Sequence, residues 1–465
     1  MIHKIRETIL GVIRAYKKDI PVILFAIIML KMGRRWQDSV FGYAFFPVMF
    51  FWMFRMPLEQ KLHTLIFLIP WAESRQMPGQ MFGIVGLNPI NVLFLMIVGT
   101  VIFEKRKLTS RSRFNCAIGI FVSLLFISMF RGIANVSFQH ITFSYYFLNI
   151  FLKPLQIILS GIMVFYILRE PKQVFHFLRA IKLSGALLGV WVLLRSGHSV
   201  ETIWAMTRTL SIHKNAISFI FLTLLSMNLA TMDYGDKAEK FANRVLNIIY
   251  ILVVMFTFSR QGYVSCVLVL FFFSVQKGFK RVMLFIIGLV LFWSFFMPFS
   301  VKQRIYTGTE TGEKMGVKAH LTGDVSAGRN ETWAASMPVV WEHPLFGQGR
   351  LAYAKSVRAG REYLPSHPHN AYIQCMLDNG MVGLIIIVGF YVFLMMKSWF
   401  LYKRSKSKFA RAYGFGFALT MGVFLLQGYT GFRFYPYEES YFVWFYLGGL
   451  MWVYENQGYL VEHGM

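Results

Sequence analysis

The stretch VVMFTFSRQGYVSCVLVLFFF (residues 253–273) places one arginine, Arg260, between two apolar runs. A membrane-spanning helix needs about 17–25 mostly apolar residues. The surrounding segment, residues 245–276, is long enough for two short spans that meet at Arg260. An ionisable side chain at membrane depth is costly and by default indicates a functional site. The alternative is an interfacial arginine that snorkels to the lipid headgroups.

The composition of the whole chain also indicates a membrane protein. Its 465 residues are 56% hydrophobic and 15% charged, whereas soluble domains carry about 25% charged residues. Further apolar runs predict spans near residues 82–103, 114–130, 145–168, 174–194, 215–231, 281–300, 379–400, 408–428 and 438–455. With two or three more spans in residues 20–76, the expected fold is an all-α polytopic bundle of about 12 to 14 transmembrane helices.

The net charge of +26 would suggest nucleic-acid binding in a soluble protein. Here the basic residues concentrate in three short loops: EKRKLTSRSR (104–113), KGFKR (277–281) and YKRSKSKFAR (402–411). Basic loops between spans are expected on the cytoplasmic side, so we do not expect a nucleic-acid partner. Counting spans from these loops places the turn at Arg260 outside, together with residues 131–144, 195–214, 301–378 and 429–437.

One long hydrophilic segment, residues 301–378, divides the chain. We therefore predict an N-terminal transmembrane bundle (1–300), a large extracytoplasmic loop (301–378) and C-terminal transmembrane helices (379–465). Within the loop, SAGRNETWAASMPVVWEH (326–343) predicts a helix, and PLFGQG (344–349) predicts the turn that follows. Loops of this length are usually functional or disordered.

Arg208 lies in WAMTRTLSIHKNAIS (204–218), between two spans and on the predicted outer side. His213, Lys214 and Asn215 form a compact polar cluster at the start of the next helix. A helix N-terminus with nearby cations suits an anion, particularly a phosphate. The alternative for Arg208 is an ordinary loop charge.

His367, His369 and Asn370 close the long loop in PSHPHNAYIQ (365–374), just before a predicted membrane helix. A histidine suits general-base catalysis of a group transfer at neutral pH. No cysteine or acidic residue stands at ligand spacing from these histidines, which disfavours a metal site. A polar turn that caps the next helix is the alternative.

Motifs for soluble cofactors are missing from the sequence. There is no P-loop, no GxGxxG motif before a strand and no GxSxG elbow. The three cysteines form no Cys-x-x-Cys pair: Cys116, Cys266 and Cys375. We therefore predict neither a cofactor nor a metal. Arginines at the outer membrane face could instead bind the diphosphate of a lipid-linked donor, whose leaving group they would stabilise.

Three segments resemble, in order, the O-antigen ligase and O-antigen polymerase superfamily of bacterial envelope glycosyltransferases. TFSRQGYVS (257–265) resembles the family's Ser-Arg-Gly segment, although Gln261 separates the arginine from the glycine. SAGRNETW through WEHPLFGQG (326–349) resembles the family's loop helix and turn. His369-Asn370, followed after nine residues by Gly380, resembles its histidine motif.

The resemblance implies a class C glycosyltransferase-like fold and transfer of an undecaprenyl-diphosphate-linked glycan without a metal or nucleotide sugar. Arg260 would bind the donor diphosphate, and His369 would act on the acceptor hydroxyl. Arg208 would correspond to a second, upstream arginine, in surroundings less glycine-rich than those of the family. Arg329 would serve the loop structure or bind sugar, and Asn370 would stand beside His369 in the substrate site.

The resemblance does not separate a polymerase from a ligase. A polymerase acceptor is another lipid-linked repeat unit, whereas a ligase acceptor is the lipid A core or, in related enzymes, a protein hydroxyl. The Arg-x-x-x-Trp pattern at Arg329 favours a surface-polysaccharide polymerase of the bacterial inner membrane, with its site facing the periplasm. A flippase and a chain-length regulator are the expected protein partners. A lipid-linked oligosaccharide flippase is the rival function, but it usually has internal repeats, and none is found.

Overall fold

The computed structural model describes residues 19–36, 39–75, 77–104, 112–139, 142–196, 200–306, 329–361, 363–365, 367–431 and 433–464. Within these ranges the regular structure is helical except for one small hairpin, in which Gln80–Met81 (β1) pairs antiparallel with Ile84–Val85 (β2). The predicted all-α fold is confirmed.

The helices are numbered in chain order. They are α1 Ile20–Trp36, α2 Val40–Arg55, α3 Leu58–Leu68, α4 Pro89–Phe103, α5 Asn115–Gly132, α6 Phe143–Ile167, α7 Pro171–Arg195, α8 Val200–Leu210, α9 Lys214–Thr231, α10 Lys237–Phe256, α11 Arg260–Lys277, α12 Phe279–Phe296, α13 Phe299–Tyr306, α14 Arg329–Glu342, α15 Ala371–Arg404, α16 Lys408–Gly428, α17 Tyr441–Glu455 and α18 Gln457–Glu462. Short 3-10 or π-helical turns lie at Ile69–Trp71, Ile133–Gln139, Tyr353–Val357 and Glu438–Ser440.

Six helices in the described ranges are long and apolar enough to cross a membrane. By length and composition they are Asn115–Val136, Phe143–Ile167, Pro171–Arg195, Phe279–Phe296, Ala371–Arg404 and Lys408–Gly428. Shorter apolar helices occupy Ile20–Met32, Val40–Arg55 and Pro89–Phe103. The chain is therefore a polytopic membrane protein, and the total of about 12 to 14 spans stays a prediction.

The helix break predicted at Arg260 is present. α10 ends at Phe256 and α11 begins at Arg260, with Ser259 as its N-cap. The predicted loop helix is also present as α14, and three helices occupy residues 20–76. α15 begins inside the predicted loop and is interrupted at Gly380, whose backbone (φ 65°, ψ −167°) is not helical. That region of backbone space is open essentially only to glycine.

Two helices form the centre of the bundle. α9 and α17 are buried along almost their whole length, and α16 packs against both α9 and α15. At the other extreme, no residue of α12 is buried. Because apolar side chains outside the core face lipid in a bilayer, α12 lies at the periphery.

The inter-helix loops gather at two ends of the bundle. Asn135 contacts Arg350, and Trp333 contacts Pro368, which joins segments that the sequence places outside. We call this the loop end. Ser112 bonds Glu455 at the opposite end, where the loops at 277–281 and 402–411 also lie. We call it the basic end. The described parts of the predicted outer segments 131–144 and 301–378 thus share one end of the bundle.

Candidate functional site

The N-termini of α9 and α11 meet at the loop end. Ser259 donates its hydroxyl to Asn215 Oδ1 at 2.9 Å and accepts the backbone N–H of Gly262 at 3.2 Å. Gly262 packs so closely on Ser218 that an added Cβ would lie 2.1 Å from its hydroxyl oxygen. This contact fixes Arg260, the first residue of α11, beside the start of α9.

His369 occupies a constrained turn before α15. Its φ of 51° lies in the left-handed region, which is uncommon for a residue with a side chain. Trp333 of α14 donates its indole N–H to the carbonyl of Pro368 at 2.9 Å, and its ring lies 5.3 Å from the ring of Tyr429. The ring of His367 lies 4.0 Å from that of His369. Packing and hydrogen bonding therefore hold the imidazole of His369 in place.

Asn370 acts as the N-cap of α15. Its Oδ1 accepts the backbone N–H groups of Tyr372 at 2.9 Å and Ile373 at 3.2 Å. These bonds satisfy two of the N–H groups that a helix start leaves without a partner. The helix-capping alternative raised by the sequence is thus present, while a contact of Asn370 with substrate stays a prediction.

The charges around His369 come from three chain segments. Burial, followed by the charges of Arg329, His213 and Arg433, lowers the pKa of His369 to about 4. Burial and the neighbouring cations, Lys214 first, also lower the pKa of His213 to about 4. His369 is therefore a neutral imidazole at neutral pH, surrounded by permanent positive charge. Among the described residues, those whose charges shift the pKa of His369 are basic, so an anion that entered this cluster would meet favourable charge.

His367 shares this environment. Burial and the charge of Arg433, followed by smaller effects of His369 and other neighbours, lower the pKa of His367 to about 2. It is therefore neutral at neutral pH as well. We call these six residues the cationic cluster, after its three permanent cations. The cations are Lys214, Arg329 and Arg433, and the three neutral histidines beside them are His213, His367 and His369.

Arg433 is a residue that the sequence analysis missed. It follows α16, on the segment that leads to α17, and its guanidinium lies 4.6 Å from the ring centroid of Tyr437. On the same segment, a Cβ added at Gly431 would lie 3.4 Å from Nδ1 of His369. The sequence did contain a signal for Arg433. Like Arg260, it is an arginine on the predicted outer side, where the positive-inside rule disfavours basic residues.

Arg208 lies apart from the cluster. It is exposed on the last turn of α8, a helix that the sequence analysis did not predict. The carbonyl of the neighbouring Thr209 accepts the backbone N–H of Arg75 at 2.8 Å. The turn leads directly into His213, the N-cap of α9, whose N-terminus lies at the loop end. Among the residues described, no hydrogen bond, ion pair or ring contact joins Arg208 to His369. The structure therefore brings Arg329 to the histidines but leaves Arg208 outside.

The turn at 344–349 is interlocked with the break in α15. Gln348 and Gly349 donate their backbone N–H groups to the carbonyls of Leu377 and Asp378 at 2.8 and 2.7 Å. On the other side of the break, Met381 donates to the carbonyl of Pro344 at 2.8 Å. A Cβ added at Gly380 would lie 2.2 Å from the Leu345 carbonyl carbon. Glycine is required there both for its conformation and for the close approach.

Arg350 connects this interlocked turn to the segment that carries Arg433. It is buried and forms an ion pair with Asp378 at 3.4 Å. It donates to the hydroxyl of Tyr437 at 2.7 Å and lies 3.6 Å from the ring centroid of Tyr435. Sequence reasoning missed Arg350 and Asp378, because neither belongs to a recognisable motif and only the fold makes them partners.

Replacing Arg350 with methionine should destabilise the protein by about 3 kcal/mol, because Asp378 is left as an uncompensated buried charge. Thermal unfolding of the purified protein in detergent measures the loss, with exposed Arg361→Met as the matched control. The double variant Arg350→Met with Asp378→Asn should recover part of the stability. Equal melting temperatures for wild type and Arg350→Met would contradict the role assigned to this ion pair.

Metal ligands do not cluster in the described part of the chain. No group of three or more His, Cys, Asp or Glu side chains there could hold a metal ion. Metal independence stays a prediction, and the chemistry below is derived from the side chains themselves.

A protein-family model described as O-antigen ligase matches residues 245–388. The matched range includes Arg260, α14, the interlocked turn and His369. The resemblance to the O-antigen ligase and polymerase superfamily is thereby confirmed over these residues, and the chain is a multi-pass membrane protein with a region similar to the glycosyltransferases of that superfamily. His213 and Arg433 lie outside the matched range. A comparison with curated proteins finds no match.

Proposed function

We propose that the chain is a surface-polysaccharide polymerase that transfers a glycan from a polyprenyl diphosphate to a sugar hydroxyl at its loop end. The carrying observation is the neutral His369, whose electrostatic neighbours include cations from separate segments: Arg329 before it in the chain, and Arg433 after it on the segment where Gly431 approaches the imidazole. Arg260 begins a membrane helix at the same end. A base beside cations at a membrane surface suits attack by a hydroxyl on an anomeric carbon whose leaving group is a lipid-linked diphosphate.

The donor would be recognised by charge. Lys214, Arg329 and Arg433 supply the positive charge near the histidines, and Arg260 supplies it at the start of α11. The first N–H groups of α11 add the positive end of a helix dipole, which favours a diphosphate. The polyprenyl chain keeps this donor in the bilayer, so no soluble nucleotide motif is needed.

The reaction is a single displacement at the anomeric carbon. His369 accepts the proton of the acceptor hydroxyl while its oxygen forms the new bond to that carbon. The bond from the anomeric carbon to the diphosphate oxygen breaks, and the leaving polyprenyl diphosphate takes the electron pair. Its growing negative charge is stabilised by the surrounding cations, and configuration inverts. His369 then releases its proton to solvent or to the leaving group.

Donor binding would also activate the base. Burial, and after it the neighbouring cations, lower the pKa of His369 to about 4, so His369 is a weak base in the free enzyme. A diphosphate offsets their field and favours the imidazolium, so the pKa of His369 rises when the donor is bound. The imidazole therefore becomes more basic only when the leaving group is in place.

Replacing Arg433 with glutamine should shift the pH dependence of kcat/KM. Loss of this cation raises the free-enzyme pKa of His369 from about 4 toward its ordinary value. The base is active when unprotonated, so activity falls as pH drops through a higher pKa. The ratio of kcat/KM at about pH 5 to that at about pH 7.5 should therefore decrease. Arg361→Gln is the control, and an unshifted acid limb in Arg433→Gln would contradict the electrostatic role.

The proposed function is tested with purified protein in proteoliposomes. A polyprenyl-diphosphate-linked repeat unit, supplied as the only sugar substrate, should yield a ladder of longer lipid-linked chains on a gel. Product that forms only when lipid A core is added would assign the ligase reaction instead. Movement of the donor across the bilayer without a new glycosidic bond would assign the flippase function.

The proposal also includes the orientation of the helix bundle in the membrane. The basic end faces the cytoplasm by the positive-inside rule, which directs the loop end to the periplasm in a bacterial inner membrane. Labelling of an exposed loop-end position from outside intact cells tests this placement.

A further inference from the structure

A large apolar groove lies between α11, α15 and α16, and it runs along the helices from Lys403 and Arg404 at the basic end to Leu426 on α16. Its volume is about 1130 Å³, which exceeds that of most small-molecule pockets (about 300–1,000 Å³). Its walls are the side chains of apolar residues that include Val269, Phe272, Met395, Leu419 and Val423. The groove is open along its side, so lipid chains can enter from the bilayer.

A polar cavity adjoins the groove at the basic end. It has a volume of about 480 Å³ and shares Gln276, Tyr402 and Phe415 with the groove as common walls. Lys408 and Arg411 line it. The two spaces together form one amphipathic site, apolar within the membrane and polar at its surface.

The charge at this junction is strongly positive. The charged side chains lining the two spaces are five cations and one carboxylate: Lys277, Lys403, Arg404, Lys408, Arg411 and Asp233. The carboxylate of Asp233 pairs with Lys277 at 3.1 Å, which leaves the other four cations around the junction. Lys403 lies 5.0 Å from the ring centroid of Trp399, so an aromatic wall positions its ammonium group.

We propose that this site binds an anionic phospholipid of the surrounding bilayer. Its acyl chains would fill the groove between α11, α15 and α16, and its phosphate would lie among Lys403, Lys408 and Arg411. Basic pockets between transmembrane helices at the cytoplasmic side are suited to anionic headgroups. Hydrogen bonds between a cation and a phosphate are stronger than hydrogen bonds between neutral groups. A zwitterionic lipid offers the same chains without the net charge. The headgroup would lie at the basic end, opposite the end of the bundle that carries the proposed catalytic cluster.

Headgroup binding is tested by native mass spectrometry of the purified full chain. The protein is incubated with phosphatidylglycerol or with phosphatidylcholine of identical acyl chains. Wild type should retain phosphatidylglycerol preferentially, and Lys408→Gln with Arg411→Gln should lower its retention about tenfold. The matched control, Lys240→Gln with Arg244→Gln, removes two cations of α10 outside both spaces and should retain the lipid as wild type does.

Binding of the acyl chains is tested by replacing a glycine that lines the groove. Gly422 lines the groove, and a Cβ there meets nothing within 4 Å, so the leucine of Gly422→Leu starts in open space and occupies part of the groove. This variant should lose lipid, whereas Gly389→Leu, at an exposed glycine that also has open space, should not. Equal melting temperatures would show that both variants fold.

Three outcomes would overturn the proposal. The first is equal retention of the two phospholipids by wild type. The second is retention of phosphatidylglycerol by both the charge variant and Gly422→Leu at the wild-type level. The third is displacement of phosphatidylglycerol by an equimolar polyprenyl phosphate, which would assign the groove to that lipid instead.

Discussion

Replacing His369 with alanine should lower glycan transfer by about 10²–10⁴-fold, the contribution typical of a positioned general base. The variant removes the neutral imidazole that lies among Arg329, His213 and Arg433. It leaves the cap of α15 in place, because Asn370 still accepts its two backbone N–H groups. The length of glycan chains on a gel, from membranes with equal protein levels, measures the effect.

His343→Ala is the matched control for His369. His343 is an exposed histidine at the end of α14, outside the cationic cluster. It should leave chain length unchanged. Wild-type chain length in His369→Ala, at equal protein level, would remove the enzymatic role from this imidazole.

Replacing Arg260 with alanine should lower glycan transfer by about 10²–10³-fold, as expected when one group that stabilises a leaving-group charge is lost. The α11 N-terminus should persist, because its cap is Ser259 and not the arginine. Arg260→Lys keeps the charge but loses the bidentate geometry that suits phosphate, so it should retain intermediate activity. Rates with a lipid-linked donor in proteoliposomes measure the series.

Arg208→Ala is the comparator for Arg260. Arg208 is exposed, whereas Arg260 is fixed beside the start of α9 by the Ser259–Asn215 hydrogen bond, so loss of Arg208 should change the rate by less than about tenfold. A greater loss in Arg208→Ala than in Arg260→Ala would reverse the assignment of the diphosphate-binding arginine. It would favour the upstream arginine that the family resemblance suggests.

The sequence predicts the helical elements well because each depends on local composition. Apolar runs gave the long helices, and the polar interruption at Arg260 gave the break between α10 and α11. Glycine and proline in residues 344–349 gave the turn after α14. What the pattern missed was helical structure without a strong apolar run, such as α8 and the part of α15 before Gly380.

Only part of the candidate site could be predicted from the sequence, because the site is assembled from segments that are distant in the chain. His369 and Arg329 could be proposed from a resemblance within one loop. The approach of Arg433 to His369 depends on how α16 returns to the loop end, and no local pattern encodes that path. The same holds for Arg350 and Asp378, which are 28 positions apart and meet only through the interlocked turn.

The seam between the turn at 344–349 and α15 is made of main-chain amides and carbonyls. Main-chain hydrogen bonds of this kind fix the backbone conformation without requiring particular side chains. Leu345 and Phe346 are both exposed, so other residues can replace them. Glycine is required instead at Gly347 and Gly380, where a methyl group would collide with backbone atoms. Substitutions can therefore accumulate in the interlocked turn without changing the backbone structure that supports His369, provided that those two positions remain glycine.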